Sequence, residues 1–197
     1  MTQLRVNEVE TFLNPSRIIA AVGVRDGMCV ADFGCGSGAF SLASARAVGN
    51  HGEVWAIDVD RPMLSRLASM ANAENVETQM RVLPGDVAEY NGSGLPDVFV
   101  DVVIAANILF GVHDIGMLAK EITRILKDAP DGALGTAGRV AIIDWEDSFD
   151  GAGPPEECIV KKDEVRALFE RAGFDFLQDL PAGSHHWGIL MRKIIAK

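Results

Sequence analysis

Three closely spaced glycines constrain the fold of this chain more than any other feature. The run Asp32-Phe33-Gly34-Cys35-Gly36-Ser37-Gly38 follows an apolar stretch, 28–33, and precedes a segment rich in small residues, 39–48. Glycines permit a tight turn and let a ligand approach the backbone closely. The order predicts a buried strand, a glycine turn and a helix, which is the repeating unit of an α/β sheet.

Segments with strand-like and helix-like patterns alternate through the rest of the chain. The predicted strands are 28–33, 54–58, 78–83, 100–106, 139–145, 174–180 and 187–195, and the predicted helices are 39–48, 62–72, 115–126 after the N-cap Asp114, and 162–172. The last two strands are joined by Pro181-Ala182-Gly183-Ser184, and so short a connection predicts an antiparallel pair.

The length of 197 residues suits one domain, with 1–27 as an N-terminal helical extension of it. The glycine-rich piece 131–138 is predicted to be an enlarged turn between a helix and a strand. No stretch has the roughly 20 apolar residues of a transmembrane helix, and the first residues lack an apolar signal-peptide core. We therefore expect a cytoplasmic protein.

The composition argues against two kinds of site. Twenty-eight acidic and 18 basic residues give a net charge of −10, which disfavours binding to nucleic acid because that binding depends on Lys and Arg. The three cysteines, Cys29, Cys35 and Cys158, form no CxxC pair and no zinc set, so no metal site is expected.

The chemistry of the glycine turn separates two classes of cofactor. Ala39 stands where a nicotinamide-binding turn requires its third glycine. Asp32, just before the turn, would repel a pyrophosphate but suits a cationic amino group. The alternative is a glycine-rich turn that binds nothing.

Two further carboxylates follow predicted strands. Asp58 ends the second strand about 20 residues after the turn, where an acidic side chain accepts hydrogen bonds from ribose hydroxyls. Asp86, in Gly85-Asp86-Val87 after the third strand, is placed to accept a hydrogen bond from an adenine amino group, with Val87 against the ring. The alternatives are a surface carboxylate at Asp58 and a turn-capping one at Asp86.

Together with Asn107 after the fourth strand, these motifs resemble the motif series of class I S-adenosylmethionine-dependent methyltransferases, especially the group of ubiquinone and menaquinone C-methyltransferases. The resemblance implies a Rossmann-like, seven-stranded, mostly parallel sheet with the last strand antiparallel and helices on both faces. It also implies S-adenosylmethionine as cofactor and methyl transfer to an acceptor, which we expect to be a small molecule. The expected cofactor-binding residues are Asp32, Gly34, Cys35, Gly36, Gly38, Asp58, Val59, Asp86, Val87 and Asn107.

The sequence departs from known subgroups in three ways. The fourth strand ends Ala105-Ala106-Asn107-Ile108-Leu109, without the Asn-Pro-Pro-aromatic signature of enzymes that methylate amide or nucleobase nitrogens. Arsenite methyltransferases are similar over this core, but the cysteine set that they need is not evident. Lys127 to Gly138 replaces the usual Lys-Pro-Gly-Gly turn before the fifth strand.

The carboxyl ends of the parallel strands form the expected active face, so the loops there are candidates for the acceptor pocket. Leu109 and Phe110 follow the fourth strand, Trp145 ends the fifth, and His185 lies at the tip of the last hairpin. His113 is the candidate general base, because imidazole titrates near neutral pH. The alternative is a polar loop residue next to the Asp114 cap.

Four functions are compatible with this pattern. The leading hypothesis is a methyltransferase that acts on a small molecule. The others are a protein or RNA methyltransferase, a nicotinamide-dependent oxidoreductase, and a non-catalytic domain that binds the cofactor.

Overall fold

The computed structural model describes residues 13–129, 137–149 and 151–194. The strands are β1 (Cys29–Phe33), β2 (Glu53–Asp58), β3 (Met80–Pro84), β4 (Val102–Ala106), β5 (Arg139–Trp145), β6 (Phe174–Asp179) and β7 (His186–Lys193). The helices are α1 (Pro15–Val22), α2 (Ala39–Val48), α3 (Arg61–Ala73), α4 (Ile115–Ile125) and α5 (Lys162–Arg171), with short 3-10 helices at Gly49–His51, Leu109–Gly111 and Glu156–Cys158. Most of the predicted turn 131–138 and the first twelve residues of the predicted extension lie outside the described residues.

The seven strands form one sheet in the order β3-β2-β1-β4-β5-β7-β6. The first five strands in that order are parallel, and β7 is antiparallel to both β5 and β6. The predicted fold class and the predicted antiparallel pair are confirmed. From β1 the strands β2 and β3 are added to one side of the sheet, whereas β4 and β5 are added to the other side. Such a switch point, between β1 and β4, opens a crevice at the carboxyl edge of the sheet.

Helices cover both faces of this sheet and bury two apolar clusters. On one face, Ile18 of α1, Leu42 of α2 and Leu67 of α3 pack over the sheet. On the other face, Ile122 of α4 and Phe169 of α5 do so. Since β4 lies between them, its residues are buried on both sides, as the continuous apolar run in its sequence predicts.

Three of the helices have an N-cap residue whose side chain accepts hydrogen bonds from the first turn. Asp114 accepts hydrogen bonds from the backbone nitrogens of Gly116 and Met117 at 2.8 and 3.1 Å, so the predicted N-cap is confirmed. Asp60 caps α3 through the nitrogen of Met63 at 3.0 Å. Asn14 caps α1 in the same way. These caps fix where the helices start relative to the carboxyl edge of the sheet.

Strand ends differ from the predictions by one or two residues. β3 begins at Met80 instead of residue 78, because Gln79 and Met80 first donate to turn carbonyls. It extends to Pro84, which is tolerated because β3 is an edge strand. Within the described part of the chain, no helix is long and apolar enough to cross a membrane.

Candidate functional site

The glycine turn connects β1 to α2 at the carboxyl edge of the sheet. Gly34, Gly36 and Gly38 all have positive φ angles, of 66°, 49° and 85°. A Cβ at Gly34 would lie 2.3 Å from Ile108 Cγ2, and one at Gly38 would lie 2.2 Å from Leu67 Cδ1. These two glycines are therefore needed for packing as well as for the turn.

Gly36 differs from its two neighbours because its surroundings are open. The nearest atom to a Cβ built there would be the Gly34 carbonyl oxygen at 4.0 Å. The N–H of Gly36 donates to Oδ2 of Asp58 at 2.8 Å. The turn therefore presents bare backbone to open space next to a carboxylate, which is the kind of surface that a ligand can approach.

Asp58, at the end of β2, is half-buried and is held by two backbone groups. Oδ2 of Asp58 accepts the hydrogen bond from the N–H of Gly36, and Oδ1 accepts one from the backbone nitrogen of Asp60 at 2.9 Å. A carboxylate has about four acceptor positions, so two remain for ribose hydroxyls. Val59, which follows it, is 68% exposed beside this group.

Asp32 is the buried carboxylate of the site. Only 2% of its surface is exposed, and the hydroxyl of Ser41 in α2 donates to it. Burial, with a smaller contribution from the nearby Asp58, raises the pKa of Asp32 to about 7, although the hydrogen bonds from Ser41 act to lower it. A cation placed nearby would favour the ionised form.

Ser41 was not predicted as a site residue. The only sequence signal is a serine within a helix of small and apolar residues, and only the structure shows that this serine is fully buried and contacts Asp32.

Asp86 and Val87 follow β3. Asp86 is exposed, and its Oδ1 accepts from the nitrogen of Ala88 at 3.0 Å, which is the turn-capping arrangement considered above. Among the described residues its Oδ2 has no hydrogen-bond partner and is available to a ligand. Val87 is 8% exposed and packs in the core beneath α4 and α5.

Asn107 follows β4 in a strained conformation. Its φ is 56°, and its nitrogen donates to the carbonyl of Ile143 at 2.8 Å. Its Oδ1 is buried and has no hydrogen-bond partner among the residues that the structure describes. A buried acceptor without a donor costs free energy, so this oxygen is suited to a donor supplied by a ligand.

Asp144, near the end of β5, anchors the turn that carries Asn107. It is 2% exposed, and its two oxygens accept from the nitrogens of Leu109 and Trp145 at 2.9 and 2.8 Å. Burial raises its pKa, while these backbone bonds lower it. The carboxylate thus joins β5 to the turn after β4.

The predicted acceptor-lining residues lie in different environments. Leu109 is 1% exposed within the core, so its side chain packs instead of facing a pocket. Phe110 is 44% exposed. Trp145 is half-buried, with its ring centroid 4.2 Å from that of His186. His185 contacts Asp147, with Nδ1 2.7 Å from Oδ1.

His113, the candidate general base, lies in the loop before α4. It is exposed. Asp114 beside it caps α4. Its catalytic role stays a prediction.

Comparisons with known proteins agree with this geometry. A family profile described as a methyltransferase domain matches residues 30–129, just over half of the chain. Nocamycin O-methyltransferase of Saccharothrix syringae is 33% identical over 124 residues, which is 63% of this chain and 42% of that protein. Demethylmenaquinone methyltransferase of Staphylococcus aureus (strain MRSA252) is 34% identical over 115 residues, which is 56% of this chain and 44% of that protein. The chain thus spans less than half the length of these curated relatives.

Solved structures share the whole fold. A SAM-dependent methyltransferase from Aquifex aeolicus has a TM-score of 0.80 and 25% identity, with 96% of this chain and 94% of that chain covered. The [4+2]-cyclase SpnF, with a TM-score of 0.71 and 16% identity over 92% of this chain and 82% of that chain, shows the fold alone. With a seven-stranded, mostly parallel sheet whose last strand is antiparallel, as predicted, and a family profile over residues 30–129, the chain belongs to the class I S-adenosylmethionine-dependent methyltransferases.

Proposed function

We propose that this protein transfers a methyl group from S-adenosylmethionine to a small-molecule acceptor. The observation that carries the proposal is the open backbone of Gly36 beside Asp58, at the switch point of the sheet. Oδ1 of Asn107, which has no hydrogen-bond partner among the described residues, adds an acceptor for the cofactor's amino group. The names of the relatives, which refer to nocamycin and demethylmenaquinone, support a small acceptor.

The residues present fit the cofactor in three parts. Asp58 would accept from the ribose hydroxyls, and Asp86 from the adenine amino group, with Val59 and Val87 beside the base. The turn Gly34 to Gly38, including Cys35, would hold the methionine part, with Asp32 and Asn107 near its amino group. When bound, the cofactor would supply an electrophilic methyl group on a positively charged sulfur, which an electron pair of the acceptor can attack with a neutral thioether as the leaving group.

The protein itself would position the acceptor relative to the methyl group and enclose the reacting atoms. Holding the acceptor in line with the methyl group can supply up to roughly 7–11 kcal/mol through orientation alone. Apolar side chains such as Phe110 and Trp145 would exclude water from the reacting atoms. We propose His113 as the group that accepts a proton from an acceptor that arrives protonated.

Binding of S-adenosylhomocysteine, measured by calorimetry and by thermal shift, tests the cofactor assignment. At about 100 times its dissociation constant the ligand should add about 2.7 kcal/mol to the free energy of unfolding. NADH, titrated in parallel, tests the nicotinamide alternative and is expected to show no binding. Heat from NADH and none from S-adenosylhomocysteine would reverse the assignment.

The acceptor class needs a second experiment. Incubation with methyl-labelled cofactor and separate sets of small metabolites, proteins and RNA should label only the first set. Labelled protein or RNA would favour the macromolecular alternative, and cofactor binding without any transfer would favour a non-catalytic domain. The single-domain organisation and the cytoplasmic location stay predictions, to be tested by limited proteolysis and by cell fractionation.

A further inference from the structure

A cavity of about 670 Å³ lies beside the carboxyl end of β5. Its walls are the end of β5 with the turn after it, the segment that enters α5, and Trp187 of β7. This volume is in the range of sites that bind small molecules. Because β5 neighbours β4 and runs parallel to it, the cavity lies at the same edge of the sheet as Asn107.

The apolar part of the wall is held in place by specific contacts. The indole nitrogen of Trp187 donates to the carbonyl of Val160 at 3.0 Å, which ties β7 to the segment before α5. The ring of Trp145 packs against His186, its neighbour across the β5–β7 ladder. Two indole rings that cannot rearrange freely give the cavity a fixed apolar surface, together with Ile159.

The polar part of the wall is mostly acidic. Its ionisable side chains are the carboxylates of Glu146, Asp147, Glu156 and Asp163 and the ammonium groups of Lys161 and Lys162. Asp147 is already paired with His185, and Lys162 with Asp179 at 3.1 Å.

The remaining groups give the cavity a negative potential. In the part of the chain that the structure describes, three carboxylates of the wall, Glu146, Glu156 and Asp163, have no ion-pair partner. Lys161 is the only cationic side chain of the wall that also has none there. Charges of one sign in a cleft attract ligands of the opposite sign. Indole faces also attract cations.

We propose that this cavity binds the methyl acceptor, and that the acceptor is a small molecule with an aromatic or apolar body and a cationic group. This inference rests on the proposed function, since it names the acceptor of that reaction. Trp145 and Trp187 would contact the body, and Glu146 and Asp163 would attract the cation. The assignment concerns recognition of the ligand and leaves the methylated atom open.

The first experiment uses 2-phenylethylammonium as a probe, with 2-phenylethanol as its neutral match and phenylacetate as an anion. The protein has three tryptophans, so its nitrogen-15 NMR spectrum has three indole signals. We expect the ammonium probe to shift the signals of Trp145 and Trp187 and to leave the signal of Trp55, a residue of β2 that packs against Phe99, unchanged. Equal binding of phenylacetate, or no shift with 20 mM ammonium probe (a concentration on the order of weak fragment binding), would overturn the proposal.

The second experiment removes the charge without changing the shape. In the double variant Glu146→Gln, Asp163→Asn, the dissociation constant of the ammonium probe should rise about fivefold to tenfold, and that of 2-phenylethanol less than twofold. Glu170→Gln is the matched control, because Glu170 is an acidic residue of α5 that pairs with Arg166 and does not line the cavity. Equal losses in the control and the double variant would overturn the charge argument.

A third measurement separates this inference from the proposed function. With carbon-13 methyl-labelled cofactor bound, an Overhauser contact between its methyl group and the probe, or methylation of the probe, would support the acceptor assignment. Binding of both molecules with neither result would overturn it and leave the methyltransferase proposal intact. Failure of S-adenosylhomocysteine to bind, with probe binding retained, would instead overturn the proposed function.

Discussion

The carboxylate of Asp58 accepts a hydrogen bond from the backbone N–H of Gly36 at 2.8 Å, across 22 positions of sequence. The bond fastens the end of β2 to the turn that follows β1. In the proposed complex the same carboxylate binds the ribose, while the turn holds the methionine part. The two halves of the cofactor would therefore contact one connected pair of residues, and a change at either residue should affect both.

Replacing Asp58 tests this connection. Asp58→Ala should weaken S-adenosylhomocysteine binding roughly 10- to 100-fold, because charge-assisted hydrogen bonds contribute about 1.5–3 kcal/mol. Asp58→Asn should lose less, since its amide oxygen can still accept from Gly36. Calorimetry measures both constants. Asp97→Ala, at an exposed carboxylate that pairs with Arg124, is the control. An unchanged dissociation constant in Asp58→Ala would show that Asp58 only fastens the turn.

The three glycines of the turn should respond differently to alanine. Gly34→Ala and Gly38→Ala incur the cost of a positive φ and also force a Cβ against Ile108 and Leu67, so each should lower the free energy of unfolding by about 2–5 kcal/mol. Gly36→Ala meets open space and should cost only about 1–2 kcal/mol for its positive φ, yet it should weaken cofactor binding. Urea unfolding and calorimetry separate the two effects. Normal affinity in folded Gly36→Ala would move the cofactor away from this turn.

Asp32 should make stability depend on pH in the ligand-free protein. Its folded pKa of about 7 lies above the ordinary value of roughly 3.9, so the folded state binds a proton that the unfolded state has lost. Stability from this group is therefore fully present below about pH 4 and is lost as the pH rises to about 7. Urea unfolding from pH 4 to 8 should show a shallower decline in Asp32→Asn than in the wild type. Parallel curves would contradict the raised pKa.

Cofactor binding should have the opposite dependence on pH. The cationic amino group of S-adenosylhomocysteine would favour ionised Asp32, so affinity should increase from pH 6 to 8 in the wild type. The increase should disappear in Asp32→Asn. Calorimetry at three pH values measures it, and the same increase in both proteins would assign the effect to another group.

Asp144 should stabilise the protein through the turn after β4. Asp144→Ala leaves the buried nitrogen of Leu109 and the partly buried nitrogen of Trp145 without this acceptor, at up to about 1–3 kcal/mol for each unpaired group. Asp144→Asn keeps one acceptor oxygen and should lose less. Urea unfolding measures the difference, and wild-type stability in Asp144→Ala would mean that water replaces the carboxylate.

His113 is tested by kinetics with the first acceptor found. Because His113 is the proposed base, the variant His113→Ala should have a kcat that is about 100- to 10,000-fold lower, with unchanged affinity for S-adenosylhomocysteine. Stability should not change, since the side chain is exposed. His51→Ala, at an exposed histidine paired with Asp26, is the control. Turnover equal to that of the wild type would remove His113 from the mechanism and leave it as a loop residue.

The order of strands and helices follows from the sequence because the signals for it are local. Apolar runs, the glycines at 34, 36 and 38, and the cap Asp114 act within a few residues of themselves, and each predicted element is present. The antiparallel final pair was predictable for the same reason, since four residues cannot cross over a sheet. Asp58 and Asp86 were placed at strand ends by the same reasoning, although their ligands stay predictions.

Contacts between distant segments were decided only by the tertiary structure. No local pattern shows that Ser41 donates to Asp32, that Asp58 holds Gly36, or that Asp144 binds the backbone of Leu109. Leu109 was predicted to line the pocket, but its place in the core depends on how α4 packs on the sheet. The cavity between β5, α5 and Trp187 is likewise built from parts of the chain that meet only when the sheet has formed, because hydrogen bonding and burial depend on distance in space and not along the sequence.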